Sequence, residues 1–278
     1  TAIRNILNSN PYIRLKNRCF PLTPARDYQA VRSKNYGTIS DTVAVAGGTY
    51  PLGSYNFYGA LLLLDGRVFL CPSNSSAYIY DPTTDTSMPA AGTLPNTSYS
   101  AALMSDGRVY LPPYNTSFAY IYNPTTNTTA PAGGTFPSNF TTASSILLQD
   151  GRILLIDYSN LDALRIYNPF SDTLINPNIT LPSAYYGALL MYDGRVFIAP
   201  YTSTTAKIYN PITNTLIDAG GVYVSGQYGN GTVLLPDGRV FMVPYQTSNA
   251  AIYDPISDTV TFHNINAQFY EYIGGCLL

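Results

Sequence analysis

Six four-stranded antiparallel blades closed into a ring, an all-β six-bladed β-propeller, are predicted for this 278-residue chain by three features. An Asp-Gly-Arg triplet returns at Asp65, Asp106, Asp150, Asp193 and Asp237, every 41 to 44 residues. An Ile-Tyr-(Asp or Asn)-Pro tetrapeptide keeps pace with it from Ile79, Ile121, Ile166, Ile208 and Ile252. The two ends of the chain also complement each other, residues 36–43 reading like 253–260 and residues 274–278 like 59–63. Repeats of this length that hold several short strands mark propeller blades or solenoid units.

One unit shows how each element arises. Residues 59–64 are almost wholly apolar, as a strand buried on both faces between neighbouring blades should be. Asp65-Gly66 then reads as a two-residue type I′ hairpin turn, because that turn requires positive φ at both central positions. Residues 67–71 return as the second strand, residues 72–75 form a loop, and residues 76–80 alternate apolar and aromatic side chains as a third strand. In the turn over 81–85, Pro82 stops the strand and the Asp side chains can bond nearby backbone N–H groups. Residues 86–90 make a weaker outer strand and residues 92–98 cross to the next blade. No stretch shows helical periodicity, so four antiparallel strands complete each unit.

The ends set the blade count. Residues 18–56 look like a blade without its first strand, and residues 272–278 look like that missing strand. The expected blades are therefore 18–56 with 272–278, 57–98, 99–141, 142–184, 185–227 and 228–271, a ring closed without a free sheet edge. Cys19 and Cys276 fall on adjacent strands but diagonally, so no disulfide is expected. Residues 1–17 lie outside the repeat as an arm with a small apolar patch at Ile3, Ile6 and Leu7. Such an arm packs across its own disc or docks on a neighbouring subunit, which would make self-assembly or docking on other structural proteins its role.

The pattern of apolar strand, Asp-Gly-Arg-Val turn and Tyr-Asp-Pro-x-(Ser or Thr)-(Asp or Asn)-Thr is visible in residues 235–240 with 252–259. It resembles kelch-type repeats, the blades of galactose oxidase and of many binding propellers, and covers residues from about 18 to 278. The paired glycines that close the second kelch strand are replaced by Cys71-Pro72, Pro112-Pro113, Ile156-Asp157, Ala199-Pro200 and Val243-Pro244, and the family's Trp is absent. The set is thus a divergent one, similar to blades in phage and large-virus surface proteins as well as cellular ones. Such a resemblance implies the fold far more than a function.

Charged residues make up only 11% of the chain and its net charge is -2, which leaves no basic surface for nucleic acid. No apolar run approaches the roughly 20 residues a bilayer-spanning helix needs, so no membrane span is expected. A surface of Tyr, Thr, Ser and Asn suits an extracellular or virion-surface location, and sequons at Asn74, Asn96, Asn115, Asn127, Asn139, Asn178 and Asn230 point the same way. The chain begins at Thr1, which reads as a processed form or as part of something longer. Cys19, Cys71 and Cys276 show neither a disulfide framework nor metal-ligand spacing, so buried apolar thiols are expected.

Catalysis is tested by inventory. The copper site that the galactose oxidase resemblance implies needs two His ligands, and the chain has His263 alone. A sialidase-like site needs an Arg cluster and a Tyr paired with Glu, but five Arg stand in the repeated turns and Glu271 is the sole Glu. His263, in Thr-Phe-His-Asn on an outer strand, reads as exposed or as a hydrogen-bonded structural residue. Neither a cofactor nor a metal is expected: Asn123, Asn168 and Asn210 stand where Asp81 and Asp254 do, and Asn127 and Asn214 where Asp85 and Asp258 do, which weakens a calcium reading. Asp65 with Arg67, Asp106 with Arg108, Asp150 with Arg152, Asp193 with Arg195 and Asp237 with Arg239 read as structural turns.

One constellation exceeds what local structure demands. Tyr114, Tyr158, Tyr201 and Tyr245 follow the second strands, and Tyr58, Tyr99, Tyr186, Tyr228 and Tyr272 stand at or near the start of the first strands. Both positions lie at one end of an up-and-down blade, opposite the Asp-Gly-Arg turns. They form either a Tyr-rich face that recognises a glycan or a protein, or repeat-determined wedges between blades. The expectation is a non-enzymatic structural and recognition propeller. The alternative is a carbohydrate-active hydrolase or lyase with a central-channel site, for which Asp157 and Asp162 are the only carboxylates in irregular positions.

Overall fold

The computed structural model describes residues 57–72, 76–91, 98–114, 116–138, 140–158, 164–224, 228–245, 247 and 249–264. The blade of 18–56 with 272–278, the arm of 1–17 and the Cys19–Cys276 pair lie outside them. Within the described residues the chain forms five four-stranded antiparallel sheets, each from four consecutive strands in sequence order. β1 (Phe57–Leu62), β2 (Val68–Pro72), β3 (Tyr78–Asp81) and β4 (Thr86–Pro89) make the first. β5 (Ala102–Leu103), β6 (Val109–Leu111), β7 (Tyr120–Asn123) and β8 (Thr128–Pro131) follow as the second. The third holds β9 (Thr142–Leu147), β10 (Ile153–Asp157), β11 (Leu164–Asn168) and β12 (Thr173–Ile175). β13 (Tyr185–Leu190), β14 (Val196–Pro200), β15 (Lys207–Asn210) and β16 (Thr215–Asp218) form the fourth, and β17 (Tyr228–Leu234), β18 (Val240–Pro244), β19 (Asn249–Asp254) and β20 (Thr259–Asn264) the fifth.

The first strand of each sheet lies against the first strand of the next, from β1 through β5, β9 and β13 to β17. These strands therefore line the inside, and the fourth strands, with mostly exposed side chains, form the rim. The core is divided into four layers, each shared by two adjacent sheets. Phe69 and Ile79, for example, pack with Val109, Leu111 and Tyr122 of the following sheet. The second strands are buried on both faces, which is why they read as continuous apolar runs.

The hairpin between first and second strands differs from the type I′ expectation. Leu63 N bonds Arg67 O at 2.8 Å and Gly66 N bonds Leu63 O at 3.1 Å, so the loop has three residues. Only Gly66 takes positive φ, at 90°, and Gly107, Gly151, Gly194 and Gly238 do the same in their hairpins. This is a type I turn closed by a glycine bulge. The Asp side chain explains the choice. Asp65 Oδ1 accepts the Arg67 backbone N–H at 3.0 Å while Oδ2 takes the guanidinium at 2.7 Å, an arrangement repeated in all five hairpins. The pairs are local staples rather than ligands. Arg67 reaches further, donating to Pro124 O of the next sheet at 2.8 Å.

The turn between third and fourth strands divides its two polar positions between two tasks. The first caps the turn: Asp81 Oδ1 accepts Thr83 N–H, and Asn123, Asn168, Asn210 and Asp254 act alike. The second position, at Asp85, Asn127, Asp172, Asn214 and Asp258, has positive φ. In each, Oδ1 accepts the hydroxyl of a third-strand tyrosine: Tyr80, Tyr122, Tyr167, Tyr209 or Tyr253. Three of them also bind the preceding sheet, Asn127 through Ala91 N–H, Asp172 through Gly133 N–H and Asp258 through Gly220 N–H. Asn214 does so by donating to Pro177 O at 3.0 Å. The rings of the same tyrosines wedge against the preceding sheet, Tyr167 stacking on Tyr110 at 4.4 Å and Tyr253 on Phe197 at 5.0 Å. Turn capping alone thus covers only the first of the two positions.

Candidate functional site

The end of the sheets opposite the hairpins is shaped by a repeated irregularity. Pro72, Asp157, Pro200 and Pro244 end the second strands and stand across from Phe57, Thr142, Tyr185 and Tyr228. Immediately inside each pairing the first strand carries extra residues: Tyr58, Ala143, Tyr186 with Gly187, and residues 229–231. Such bulges break the two-residue alternation and re-aim a side chain. Tyr185 therefore points inward and is buried, while Tyr186 is half-exposed at the strand end.

Six of the nine tyrosines singled out above meet at this end. Tyr158 and Tyr186 have ring centroids 4.5 Å apart, Tyr186 and Tyr201 4.6 Å, Tyr158 and Tyr201 6.3 Å, and Tyr201 and Tyr245 6.2 Å. Tyr99 and Tyr114 form a second pair at 4.4 Å, with the Tyr114 hydroxyl donating to that of Tyr99 at 3.3 Å. The two groups adjoin, since Tyr114 acts electrostatically on Tyr186. All six are half-buried. Burial, then the hydrogen bond with Tyr158, push the Tyr186 phenol well above the ordinary tyrosine value, so it keeps its proton and takes part only through hydrogen bonds at neutral pH.

Asp157 stands beside Tyr158 where the other four described sheets have proline, at Pro72, Pro113, Pro200 and Pro244. It is 2% exposed, and its Oδ1 accepts Thr141 N–H at 3.0 Å. Thr141 O in turn accepts Tyr158 N–H at 2.9 Å, and Thr141 bridges to Tyr114 of the preceding sheet. The buried carboxylate thus braces the strand ends that carry two of the tyrosines. Tyr hydroxyls and ring faces, held in place by this brace, can meet a hydroxyl-rich ligand through hydrogen bonds and apolar contact.

Tyr228 departs from the expected set. It aligns with Tyr185 rather than Tyr186, sits 1% exposed against Tyr223 and Phe262, and its phenol is pushed up to about 12 by burial. It is a core residue. Tyr272 and Asp162 lie outside the described residues, as does the side chain of Tyr58. Among the sequons, Asn178 is exposed and Asn127 is engaged by Ala91 and Tyr122; Asn74, Asn96, Asn115, Asn139 and the side chain of Asn230 lie outside. His263 is exposed on the outermost strand, 3.3 Å from Thr261 Oγ1. Cys71 is buried and its thiol is pushed up to about 12 by burial, as an inert apolar thiol should be.

No protein-family model matches the chain. No curated protein matches it either. Solved structures do. Virginiamycin B lyase from Staphylococcus aureus matches with a TM-score of 0.65 at 7% identity, over 75% of this chain and 70% of that one. A streptogramin B lyase matches with a TM-score of 0.66 at 12% identity, over 76% and 70%. The extracellular domain of a one component system from B. thetaiotaomicron matches with a TM-score of 0.59 at 16% identity, over 79% of this chain and 29% of that one. The shared property is the fold, and with the five sheets it establishes β-propeller character. The expectation of a non-enzymatic chain is corrected by these comparisons: two of these neighbours are lyases, so the architecture is one that carries catalysis. The residue inventory argues only against a two-His copper site and a sialidase-like Arg cluster with a Tyr–Glu pair, and leaves other chemistries open.

Proposed function

We propose that the chain is a carbohydrate-active enzyme, a hydrolase or lyase, whose substrate sits on the tyrosine-lined end at the mouth of the central channel. The observation that carries this is the convergence of Tyr99, Tyr114, Tyr158, Tyr186, Tyr201 and Tyr245, from four successive sheets, into half-exposed ring contacts beside Asp157. The interior wedges of this fold are other tyrosines, Tyr122, Tyr167, Tyr209 and Tyr253, which supports a separate role for the six. Incubation with a panel of polysaccharides tests it, read as new reducing ends or as the ultraviolet absorbance of an unsaturated product. Turnover by the wild type, with loss in Tyr186→Ala and Tyr201→Ala variants that keep the native circular dichroism, is the expected result. A wild type that neither binds nor cleaves any glycan overturns it.

The same proposal places the protein on an extracellular or virion surface. Support comes from the extracellular neighbour, the low charge and the exposed sequon at Asn178. We further propose that residues 18–56 and 272–278 complete a sixth, kelch-like blade, and that residues 1–17 dock the propeller on other structural proteins. Deleting residues 1–15 should lower the native assembly mass; an unchanged mass dismisses the docking role.

A further inference from the structure

We propose that Tyr158 and Tyr186 are an oxidative crosslinking site, where a dityrosine bond staples the third sheet to the fourth, and that Tyr99 with Tyr114 is a second such pair. Coupling of two phenols joins the ring carbons beside each hydroxyl, so it needs two hydroxyl-bearing edges laid together. Both pairs provide this. The Tyr158 and Tyr186 rings have centroids 4.5 Å apart and planes tilted by 38°, and their hydroxyls share a hydrogen bond. Tyr99 and Tyr114 stand 4.4 Å apart at 31°, with their hydroxyl oxygens separated by 3.3 Å. All four rings are half-buried, so an oxidant meets them while the strand ends hold them in place. Tyr158 is fixed further by its N–H bond to Thr141 O at 2.9 Å.

Other close tyrosine contacts lack one of these conditions. Tyr110 and Tyr167 stack at 4.4 Å and 21°, but both are 0% exposed and the Tyr167 hydroxyl is given to Asp172. Tyr201 meets Tyr186 at 79°, Tyr158 at 66° and Tyr245 at 65°, edge toward face. In the coupling, each phenol loses one electron and one proton and becomes a phenoxyl radical. The two radicals form one carbon–carbon bond, and each coupled carbon passes its hydrogen to the oxygen of its own ring, which restores two phenols. Hydrogen peroxide with a haem catalyst takes up the two electrons and two protons as its O–O bond breaks to give two waters. The link closes a loop between residues 158 and 186 and, like a disulfide, removes freedom from the unfolded chain.

Treatment of the full chain with hydrogen peroxide and a small haem peptide tests this, read by dityrosine fluorescence, intact mass and peptide mapping. The expected product is a single chain lighter by two hydrogens per link, with Tyr158 joined to Tyr186 and Tyr99 to Tyr114. It should melt roughly 5 °C or more above the untreated chain. Tyr158→Phe and Tyr186→Phe should each abolish the first link, leave the second and keep the native circular dichroism. In urea the selectivity for these pairs should vanish. Links that only join separate chains, that fall equally on other tyrosines or that form alike in urea overturn the site, as does oxidation that yields no link. A linked chain that melts no higher overturns the staple. The crosslink does not rest on glycan binding, so a chain that ignores every polysaccharide still gives one of these results.

Discussion

Asp258 Oδ1 accepts two hydrogen bonds, from Tyr253 Oη at 2.7 Å and from Gly220 N–H at 2.7 Å, and so joins its own sheet to the preceding one. Asp172 does the same with Tyr167 and Gly133. Removing the acceptor leaves a hydroxyl and a backbone donor unsatisfied, so Asp258→Ala should cost about 1–3 kcal/mol, measured by urea unfolding. Both carboxyls are held below their ordinary value of 3.8, Asp258 by the Gly220 bond first and Asp172 by the Tyr167 bond first. A depressed folded pKa gives stability that is complete above the unfolded value and is lost as pH falls through the lower folded value. Stability should therefore drop below about pH 3.8. Asp258→Asn should keep most of the stability at neutral pH, as Asn127 and Asn214 do at the equivalent place, and should flatten the acid limb; an unchanged acid limb counts against the assignment. The double role was hidden in the sequence because both polar positions look like turn caps. The constant five-residue step from Tyr80 to Asp85, repeated through Tyr253 to Asp258, is the signal that separates them. Asn127 is committed to this contact and Asn178 is exposed, so peptide mapping of glycosylated material should find sugar on Asn178 and none on Asn127.

At the scale of the hairpin and the strand end, the sequence announced a turn without its type and a tyrosine without its direction. Asp-Gly satisfies several turn geometries, and only the bonds from Asp65 to Arg67 hold the Asp at negative φ. Gly66 has φ 90° and open space where a Cβ would stand, so Gly66→Ala isolates the backbone penalty and should cost about 1 kcal/mol by thermal unfolding. At Gly194 the same atom would lie 2.8 Å from the end of the Gln149 side chain, and the loss should exceed that of Gly66→Ala. Equal losses would mean that Gln149 swings clear. Tyr228 illustrates the other limit. A one-residue slip in a strand exchanges the inward and outward faces, and the bulges that decide the slip leave no mark in the repeat spacing. Tyr114, Tyr158, Tyr201 and Tyr245 were legible because their position recurs after the second strand, which has no bulge of its own before it ends.

For the whole molecule, the second to fifth described sheets are each tied to the one before by a shared apolar layer and by polar contact at the rim, through Asn127, Asp172, Asn214 and Asp258 in turn. In such a series stability is a sum of unit and nearest-neighbour terms, and an open end is the weakest place. Gly133 and Gly220 are where neighbouring backbones come closest, a Cβ there standing 2.0 Å from Asp172 O and 1.8 Å from Asp258 O. Gly133→Ala and Gly220→Ala should each cost roughly 1–3 kcal/mol through forced separation of adjacent sheets. If the proposed sixth blade closes the ring, removing residues 272–278 takes away its innermost strand and leaves the first and fifth described sheets without a shared neighbour. Calorimetry of that truncation should then show a larger fall in melting temperature than either glycine variant, with a single transition broadened toward two as unfolding starts from the open edge. A truncation that melts like the full chain would mean that the ring is not closed by its C-terminal strand.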